Sequence, residues 1–351
     1  MSSLNYFSNA LHKRARMIDM DRPADESPRI RDAHKAAKLY YQQDLTMEAI
    51  GAELKVSRSS VSRLLDYARE SGIVEIRVTS PADEPRRIER AIRDAYGVNS
   101  FLVPVPQGTS HVDRLERVGL SAARMLGQFF SSNMVMGIAW GSTVSAISRH
   151  LIKKSTSNTE VVQLNGAGND QTSGVTYSSE ILRRFGEAYG AQVQHFPVPT
   201  FFDNPQTKEL LWQERSTRRV LDLQKRMDVA LFGLGSTAAE VPSQVYTGGY
   251  LNDKEIDSLR RDGVVGDVAT VFYRADGTWR DVAVNARSSG PGLDAMKRVP
   301  RRLCVISGVR KLEALRGALH AGVITDLIID EVTARALIEP QVPHARAAKI
   351  K

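Results

Sequence analysis

The chain has 351 residues, 42% of them hydrophobic and 25% charged, which is typical of a soluble globular protein with two domains. Its one cysteine excludes a disulfide framework and a cysteine-based zinc cluster, and no apolar run reaches the roughly 18 residues of a membrane span. A cytoplasmic protein with no metal site and no membrane partner is therefore expected. The net charge of +8 suits an anionic partner, but residues 1–80 hold only 13 Lys and Arg against 11 Asp and Glu, so charge alone does not locate nucleic-acid binding.

The N-terminal part predicts a tail followed by three helices. Residues 1–28 are polar and charged without sustained periodicity, which predicts a flexible tail. Helical periodicity begins at Ile30. Thr46 has the side chain of a helix N-cap and predicts a short helix at Met47–Leu54. Ser57 predicts the start of another helix, which runs to about Ser71 and is followed by a strand-like alternation at residues 73–78.

The segment LTMEAIGAELKVSRSSVSRLLDYARESGIVEIRV, residues 45–78, has the pattern of a helix-turn-helix. Small residues occur where two helices joined by a short turn must approach each other. Polar residues lie at the start of the second helix and outside its apolar face. Hydroxyls and a helix N-terminus can contact phosphates, and an arginine can read guanine. The predicted DNA-contacting residues are Ser57, Arg58, Ser59, Ser60, Ser62 and Arg63. The alternative is a helical packing module with a solvated polar face. The strand after residue 72 favours a winged helix, and this domain is predicted to comprise residues 29–80.

The remainder predicts an α/β domain with a largely parallel, Rossmann-like sheet over residues 81–340 and a short C-terminal tail at 341–351. Strand-like runs alternate with helical patterns, which is typical of such a sheet. The predicted strands are FLVPV, MVMGIA, EVVQLNG, VQHFPV, VALFGLG, DVATVFY, RLCVISG and ITDLIID. The clearest helical patterns are at 112–131, 143–153, 178–189 and 310–320.

Three loops that follow predicted strands are candidates for a ligand crevice, because ligands bind beyond the carboxyl ends of parallel strands. The first contains Gly141, Ser142 and Thr143, which offer hydroxyls and free N–H groups at the start of a helix, as a phosphate requires. The other two loops are rich in small residues, and the candidates in them are Asn165, Gly166, Gly168, Gly235 and Ser236. For any one loop an ordinary glycine turn remains the alternative.

Seven further pieces occur in an order that resembles the SorC-type transcriptional regulators. These are GIAWGST, VVQLNGAG, DVALFGLGS, GGYLNDKEIDSLRRDGVVGDVATVFYRADG, NARSSG, RVPRRLCVISGVRKLEALRGALHAG and ITDLIIDEVTARALI. The resemblance implies an N-terminal helix-turn-helix and an effector domain similar in fold to sugar-phosphate isomerases and deaminases. It also implies a homodimer or homotetramer whose affinity for operator DNA changes when a phosphorylated sugar binds. Asp267, Arg287 and Lys311 match the family's effector-site positions.

Two enzyme classes are the alternatives to a regulator. A sugar-phosphate isomerase or deaminase with an appended DNA-binding domain would need a general base, for which Asp267 is the candidate. The sequence has no compact Asp, Glu and His constellation, and no G-x-G-x-x-G fingerprint of a dehydrogenase follows an early strand. The prediction is a DNA-binding regulator with no catalytic residue and no cofactor.

Overall fold

The computed structural model describes residues 15–16, 28–41, 43, 45–76, 84–240 and 243–339. The tails predicted at 1–28 and 341–351 therefore lie almost wholly outside the described residues. The chain divides into two units, Met1–Glu84 and Pro85–Lys351, and each is described by itself. Their division lies close to the boundary predicted between residues 80 and 81.

Three helices form the N-terminal unit: α1 at Pro28–Tyr41, α2 at Met47–Leu54 and α3 at Arg58–Glu70. Thr46 and Ser57 cap α2 and α3 as predicted, each side chain accepting a hydrogen bond from an N–H in the first turn. Buried side chains from all three helices make one core, among them Ala36, Ile50 and Leu65. The strand expected at residues 73–78 is observed as β2, Glu75–Ile76, which pairs antiparallel with β1, Ala15–Arg16. The arrangement of α2 and α3 fits a helix-turn-helix.

The turn between α2 and α3 has a tight and strained backbone. Lys55 has φ 56° and ψ 40°, the left-handed conformation that side chains with a β-carbon disfavour. Gly51 faces this turn, and a β-carbon there would lie 2.8 Å from the Val56 carbonyl oxygen. Gly51 therefore lets the two helices approach. Lys55 adopts a left-handed backbone conformation that glycine would adopt with less strain.

Lys55→Gly is expected to stabilise the N-terminal unit by about 0.5–1 kcal/mol. Removing the β-carbon relieves the left-handed strain of roughly 1–2 kcal/mol, and part of that gain is lost to the greater freedom of glycine in the unfolded chain. Hydrogen exchange of the α2 and α3 amides measures the change. Lys55→Ala is the matched control: it removes the same charge but keeps the strain, so a gain of equal size there would contradict the explanation.

The second unit is built on a seven-stranded sheet. The strands of this unit are β3 Asn99–Val103, β4 Val135–Ile138, β5 Glu160–Gln163, β6 Gln192–Gln194, β7 Val229–Phe232, β8 Val264–Val268, β9 Val271–Arg274, β10 Arg301–Ile306 and β11 Asp326–Asp330. The sheet order is β3-β11-β10-β7-β4-β5-β6, and every neighbouring pair is parallel. The prediction of a largely parallel α/β sheet is confirmed.

Helices cover both faces of this sheet. They are α4 Glu84–Tyr96, α5 His111–Phe129, α6 Ser142–Arg149, α7 Val175–Tyr189, α8 Pro205–Leu211, α9 Arg215–Lys225, α10 Gln244–Thr247, α11 Asp253–Arg261, α12 Leu293–Lys297, α13 Leu312–His320 and α14 Glu331–Ile338. Alternate residues of β7 belong to two separate cores, Ala230 and Phe232 to one and Val229 and Leu231 to the other. A strand buried on both faces reads as a continuous apolar run, which is why the sequence revealed these strands.

One predicted strand is wrong. DVATVFY was expected to form a single strand, but β8 and β9 are an antiparallel hairpin joined by Ala269 and Thr270. These two residues have φ values of 45° and 69°, as a two-residue hairpin turn with positive φ requires. The Asn-Gly or Gly-Gly signature of such turns is missing from the sequence, so an apolar run concealed the turn.

Within the described ranges, no helix is long and apolar enough to cross a membrane. The same residues contain no group of three or more His, Cys, Asp or Glu side chains placed to hold a metal ion.

Candidate functional site

Segments from distant parts of the second unit meet around one cavity of about 50 Å³. Three of them follow the carboxyl ends of β4, β5 and β7, the edge at which ligands of parallel sheets bind. The start of α10, with Ser243 and Val245, the β8–β9 hairpin and the turn after β10 form the rest of the wall. Seven of the residues predicted from the sequence line it: Gly141, Ser142, Thr143, Asn165, Gly235, Asp267 and Lys311.

The mouth of the cavity lies at the N-terminus of α6. Gly141 precedes this helix with φ 144°, a backbone conformation that favours glycine. The first N–H groups of a helix have no partner within it and carry partial positive charge. Ser142 is exposed and Thr143 is buried, so this group of donors extends from the surface inward. Close approach from β7 is possible because residue 233 is glycine: a β-carbon there would lie 2.9 Å from Thr143.

Asp267 forms the deep wall. Its backbone exchanges two hydrogen bonds with Gly235, and a β-carbon at Gly235 would clash with the Asp267 carboxylate. One carboxylate oxygen, Oδ2, accepts the Thr270 N–H at 3.1 Å, whereas Oδ1 has no hydrogen-bond partner among the described residues. Burial raises the pKa of Asp267 to about 6, against the lowering effects of the Thr270 N–H, the Tyr246 hydroxyl and the Lys311 charge.

Lys311 brings a buried ammonium group to the same space. Its Nζ donates to the Leu234 carbonyl at 3.3 Å, and burial lowers its pKa, an effect that Cys304 and Asp267 partly oppose. Asn165 is almost fully buried, and its Oδ1 has no hydrogen-bond partner in the described part of the chain. The deep end therefore combines a cationic donor with two unpaired acceptor oxygens, a set that suits the hydroxyl groups of a ligand.

The turn that carries Lys311 is fixed from a neighbouring strand. Gly308, with φ 96°, donates its N–H to Asp330 Oδ2 at 2.9 Å and to Thr333 Oγ1 at 3.0 Å. Asp330 is fully buried at the end of β11 and also caps α14. The Asp330 carboxylate thus ties the Lys311 turn to the sheet, a role that no sequence pattern indicated.

The hairpin turn is the part of the site that sequence reasoning missed. Ala269 and Thr270 line the cavity although both have positive φ, and a β-branched residue rarely adopts this conformation. Ser288 holds the turn by donating to the Thr270 carbonyl at 2.9 Å and bonding the Thr270 hydroxyl at 3.0 Å. Gly290 leaves room for the Ala269 carbonyl, with which a β-carbon would clash. Strain of this kind is frequent at binding sites.

Four predicted effector residues do not line this cavity. Gly166 and Ser236 make hydrogen bonds within the protein. The Gly166 N–H donates to the Ser289 hydroxyl and its carbonyl accepts from the Thr200 hydroxyl, and the Ser236 hydroxyl accepts the Ala238 N–H. Gly168 and Arg287 line a second, larger cavity of about 1330 Å³. There the Arg287 guanidinium makes an ion pair with Glu255 and donates to the Phe202 carbonyl at 3.0 Å.

Trp140 lines the wall of the cavity. Its Nε1 donates to the Gly166 carbonyl at 2.8 Å, and its ring packs on Tyr250 at 5.2 Å between centroids. The Tyr250 hydroxyl donates to the next carbonyl, that of Ala167. The two aromatic side chains therefore fix the loop after β5 that presents Asn165.

The polar residues predicted to contact DNA lie at the start of α3. Ser57, Arg58, Ser59 and Arg63 are exposed, whereas Ser60 and Ser62 are half-buried. The Ser57 hydroxyl is occupied as the N-cap, accepting the Ser60 N–H at 3.1 Å. Arg58 makes an ion pair with Glu48 of α2 at 2.7 Å. Arg63 projects from the exposed face without an ion pair among the described residues, so its guanidinium is available to a partner.

Comparison with known proteins gives a consistent result across most of the chain. Residues 80–339 match the family model of a sugar-binding domain. The deoxyribonucleoside regulator of Bacillus subtilis is 33% identical over 307 residues, which are 87% of this chain and 96% of that protein.

Two solved structures are similar in fold. A domain of a possible sugar-binding transcriptional regulator from Arthrobacter aurescens has a TM-score of 0.69 and 50% identity, covering 74% of this chain and all of that domain. The full-length sorbitol operon regulator SorC from Klebsiella pneumoniae has a TM-score of 0.71 and 24% identity, covering 89% of this chain and all of that one. These relatives are transcriptional regulators and not enzymes.

Proposed function

Because the chain belongs to the SorC-type sugar-binding transcriptional regulators, we propose that it binds operator DNA through α2 and α3 under the control of a phosphorylated sugar. The observation that carries the effector half is the cavity, where a helix N-terminus, a buried ammonium group and two unpaired acceptor oxygens meet. The proposal assigns no catalytic role to the described residues that line this cavity.

The chemistry of the cavity favours one orientation of the sugar phosphate. A volume of about 50 Å³ takes one end of the ligand and leaves the other at the mouth. A phosphate beside the Asp267 carboxylate would be repelled, whereas the N–H groups of α6 attract it. The phosphate would therefore bind at Gly141, Ser142 and Thr143, and the hydroxyls would reach Asn165, Asp267 and Lys311.

A thermal-shift comparison tests this orientation. The names of the relatives suggest deoxyribose and sorbitol as first probes, each as the monophosphate, as the free compound, and beside inorganic phosphate. Stabilisation by one monophosphate, with much less from its free sugar, would support the proposal. Equal stabilisation by the free compound would show that the α6 N-terminus does not bind phosphate.

Binding would change DNA affinity by a shift between arrangements of paired subunits. A symmetric operator requires at least two recognition helices, so we propose a homodimer or a homotetramer. A ligand shifts such an equilibrium only by its difference in affinity for the two arrangements. Gel retardation of the DNA upstream of its own gene, with and without the stabilising sugar phosphate, measures that difference.

Arg63→Ala is expected to weaken specific DNA binding by about 5- to 150-fold, the range for loss of one arginine contact to a base. Effector-induced thermal stabilisation is expected to remain, since Arg63 lies in the other unit. Arg69→Ala is the control on the same helix, because its guanidinium pairs with Asp66 near the helix end. Operator affinity that is unchanged in Arg63→Ala, measured by fluorescence anisotropy, would count against α3 as the recognition helix.

A further inference from the structure

The two unpaired acceptor oxygens of the smaller cavity belong to separate loops. Asp267 Oδ1 lies on the β8–β9 hairpin, and Asn165 Oδ1 lies on the loop that follows β5. Both side chains are more than nine-tenths buried, and a buried acceptor without a partner is unfavourable unless a ligand or a water molecule supplies the donor. Two hydroxyl groups of one ligand satisfy both oxygens only if the two loops hold these oxygens at a matching separation.

The hairpin that carries Asp267 is held by Ser288. The Ser288 hydroxyl donates to the Thr270 carbonyl at 2.9 Å and accepts the Gly290 N–H at 3.1 Å. The Thr270 N–H in turn donates to Asp267 Oδ2 at 3.1 Å. Ser288 therefore fixes the residue that orients the Asp267 carboxylate, and this orientation leaves Oδ1 for a ligand.

The loop that carries Asn165 is held by the next residue of the chain, Ser289. The Ser289 hydroxyl accepts the Gly166 N–H at 2.9 Å and donates to the Thr200 carbonyl at 2.9 Å. The Thr200 hydroxyl donates to the Gly166 carbonyl, also at 2.9 Å. Both backbone groups of Gly166, the neighbour of Asn165, are therefore bonded, and Ser289 makes one of these bonds.

Adjacent serines thus hold two loops that are far apart in the chain. Ser288 and Ser289 are each 2% exposed, so no bulk water competes for their hydroxyl groups. The pair is itself fixed from α8, because Lys208 Nζ donates to the Ser288 carbonyl at 3.1 Å. The turn of Lys311 is held differently, by Asp330. The separation of the two acceptor oxygens therefore depends on one dipeptide.

We propose that Ser288 and Ser289 are positioning residues of the effector site, which set the separation of Asp267 Oδ1 and Asn165 Oδ1 and so select sugar phosphates by the configuration of their hydroxyl groups. This inference rests on the proposed function and adds to it the residues that determine specificity. Epimers carry the same phosphate and the same number of hydroxyl groups, which differ only in direction. Two fixed acceptors discriminate between epimers, because the wrong one leaves a buried oxygen unpaired. A purely structural role of the two serines is the alternative.

The test measures the affinity of the full-length chain for pairs of epimers by isothermal titration. The probes are the monophosphates of sorbitol and mannitol, of ribose and arabinose, and of deoxyribose and deoxyxylose. The wild type is expected to bind one member of a pair about tenfold tighter than the other, as loss of one buried hydrogen bond predicts. Ser288→Ala and Ser289→Ala are each expected to weaken binding of the preferred epimer by about 10- to 100-fold, the range for removing a group that orients a metal ligand. Affinity for the other epimer falls less, so the ratio between the two decreases.

Double-mutant cycles identify the residue through which each serine acts. Ser288→Ala is expected to cause no further loss of affinity when Asp267 is already alanine, and Ser289→Ala none when Asn165 is already alanine. The reason is that the oxygen to be positioned is absent in these backgrounds. Losses that add fully in both backgrounds would assign the serines to the stability of the fold and would overturn the proposal.

Ser148→Ala is the matched control. Ser148 is also buried and its hydroxyl donates to the Ser145 carbonyl at 2.8 Å, but it lines neither cavity, so the ratio between epimers is expected to stay the same. Cysteine, which is a weak donor of similar size, replaces alanine at 288 or 289 if an alanine variant does not fold, and the ratio is again expected to decrease. A wild type that binds both members of every pair equally, or a ratio that neither serine variant changes, would overturn the proposal. Absence of binding of all these sugar phosphates by the wild type would instead overturn the proposed function.

Discussion

Replacing Lys311 with methionine is expected to weaken sugar-phosphate binding at least about 30-fold, the effect of removing one partner from a buried, charged hydrogen bond. The Lys311 ammonium is the one cationic side chain that lines the cavity among the described residues, and it lies beside Asp267. Isothermal titration with the stabilising sugar phosphate measures the loss. The DNA affinity of the unliganded protein is expected to stay the same, so the variant would bind operator but no longer respond.

The same substitution is not expected to destabilise the fold. Methionine has nearly the length of lysine and avoids the cost of burying an ammonium group, which is several kcal/mol for an isolated ion. The losses are one hydrogen bond to the Leu234 carbonyl, worth about 1 kcal/mol, and the attraction between the ammonium and the Asp267 carboxylate. Lys225→Met, at an exposed lysine paired with Asp222, is the control. Retained effector affinity in Lys311→Met would exclude Lys311 from the site, and a large drop in unfolding free energy would identify it as structural.

The sequence predicted the architecture well because its strands are buried on both faces. Each appears as an apolar run bounded by small or polar residues, and the helices between them have a clear period. The shared edge of the sheet then places the loops at residues 139–143, 165 and 233–235 together. Asp267 and Lys311 were found through the family resemblance, since nothing in the spacing alone brings positions 267 and 311 to one cavity.

The sequence did not indicate where backbone and side chains point within those loops. Gly166 was predicted to face a ligand, but its carbonyl accepts the Trp140 and Thr200 donors and its N–H binds Ser289. Arg287 was predicted as an effector-site residue, and it lines the larger cavity, where it makes an ion pair with Glu255, 32 residues earlier. A sequence pattern identifies which loops meet, but such long-range partners decide where each group points.

Asp267→Asn is expected to raise the free energy of unfolding at pH 7 by roughly 3 kcal/mol, because each unit of pKa corresponds to about 1.4 kcal/mol. The unfolded carboxyl group ionises near its usual pKa of 3.8, whereas burial raises the pKa in the folded protein to about 6. The folded state binds the proton more tightly, so the contribution of Asp267 to stability falls as the pH rises from about 4 to 6 and stays low above it. Urea unfolding at several pH values should show the gain of the asparagine variant at pH 7 and its disappearance near pH 4. Asp276→Asn is the control, since Asp276 is exposed and the Thr278 N–H lowers its pKa, so no gain is expected there. A gain in Asp267→Asn that persisted at pH 4 would show that the carboxylate charge is not its cause.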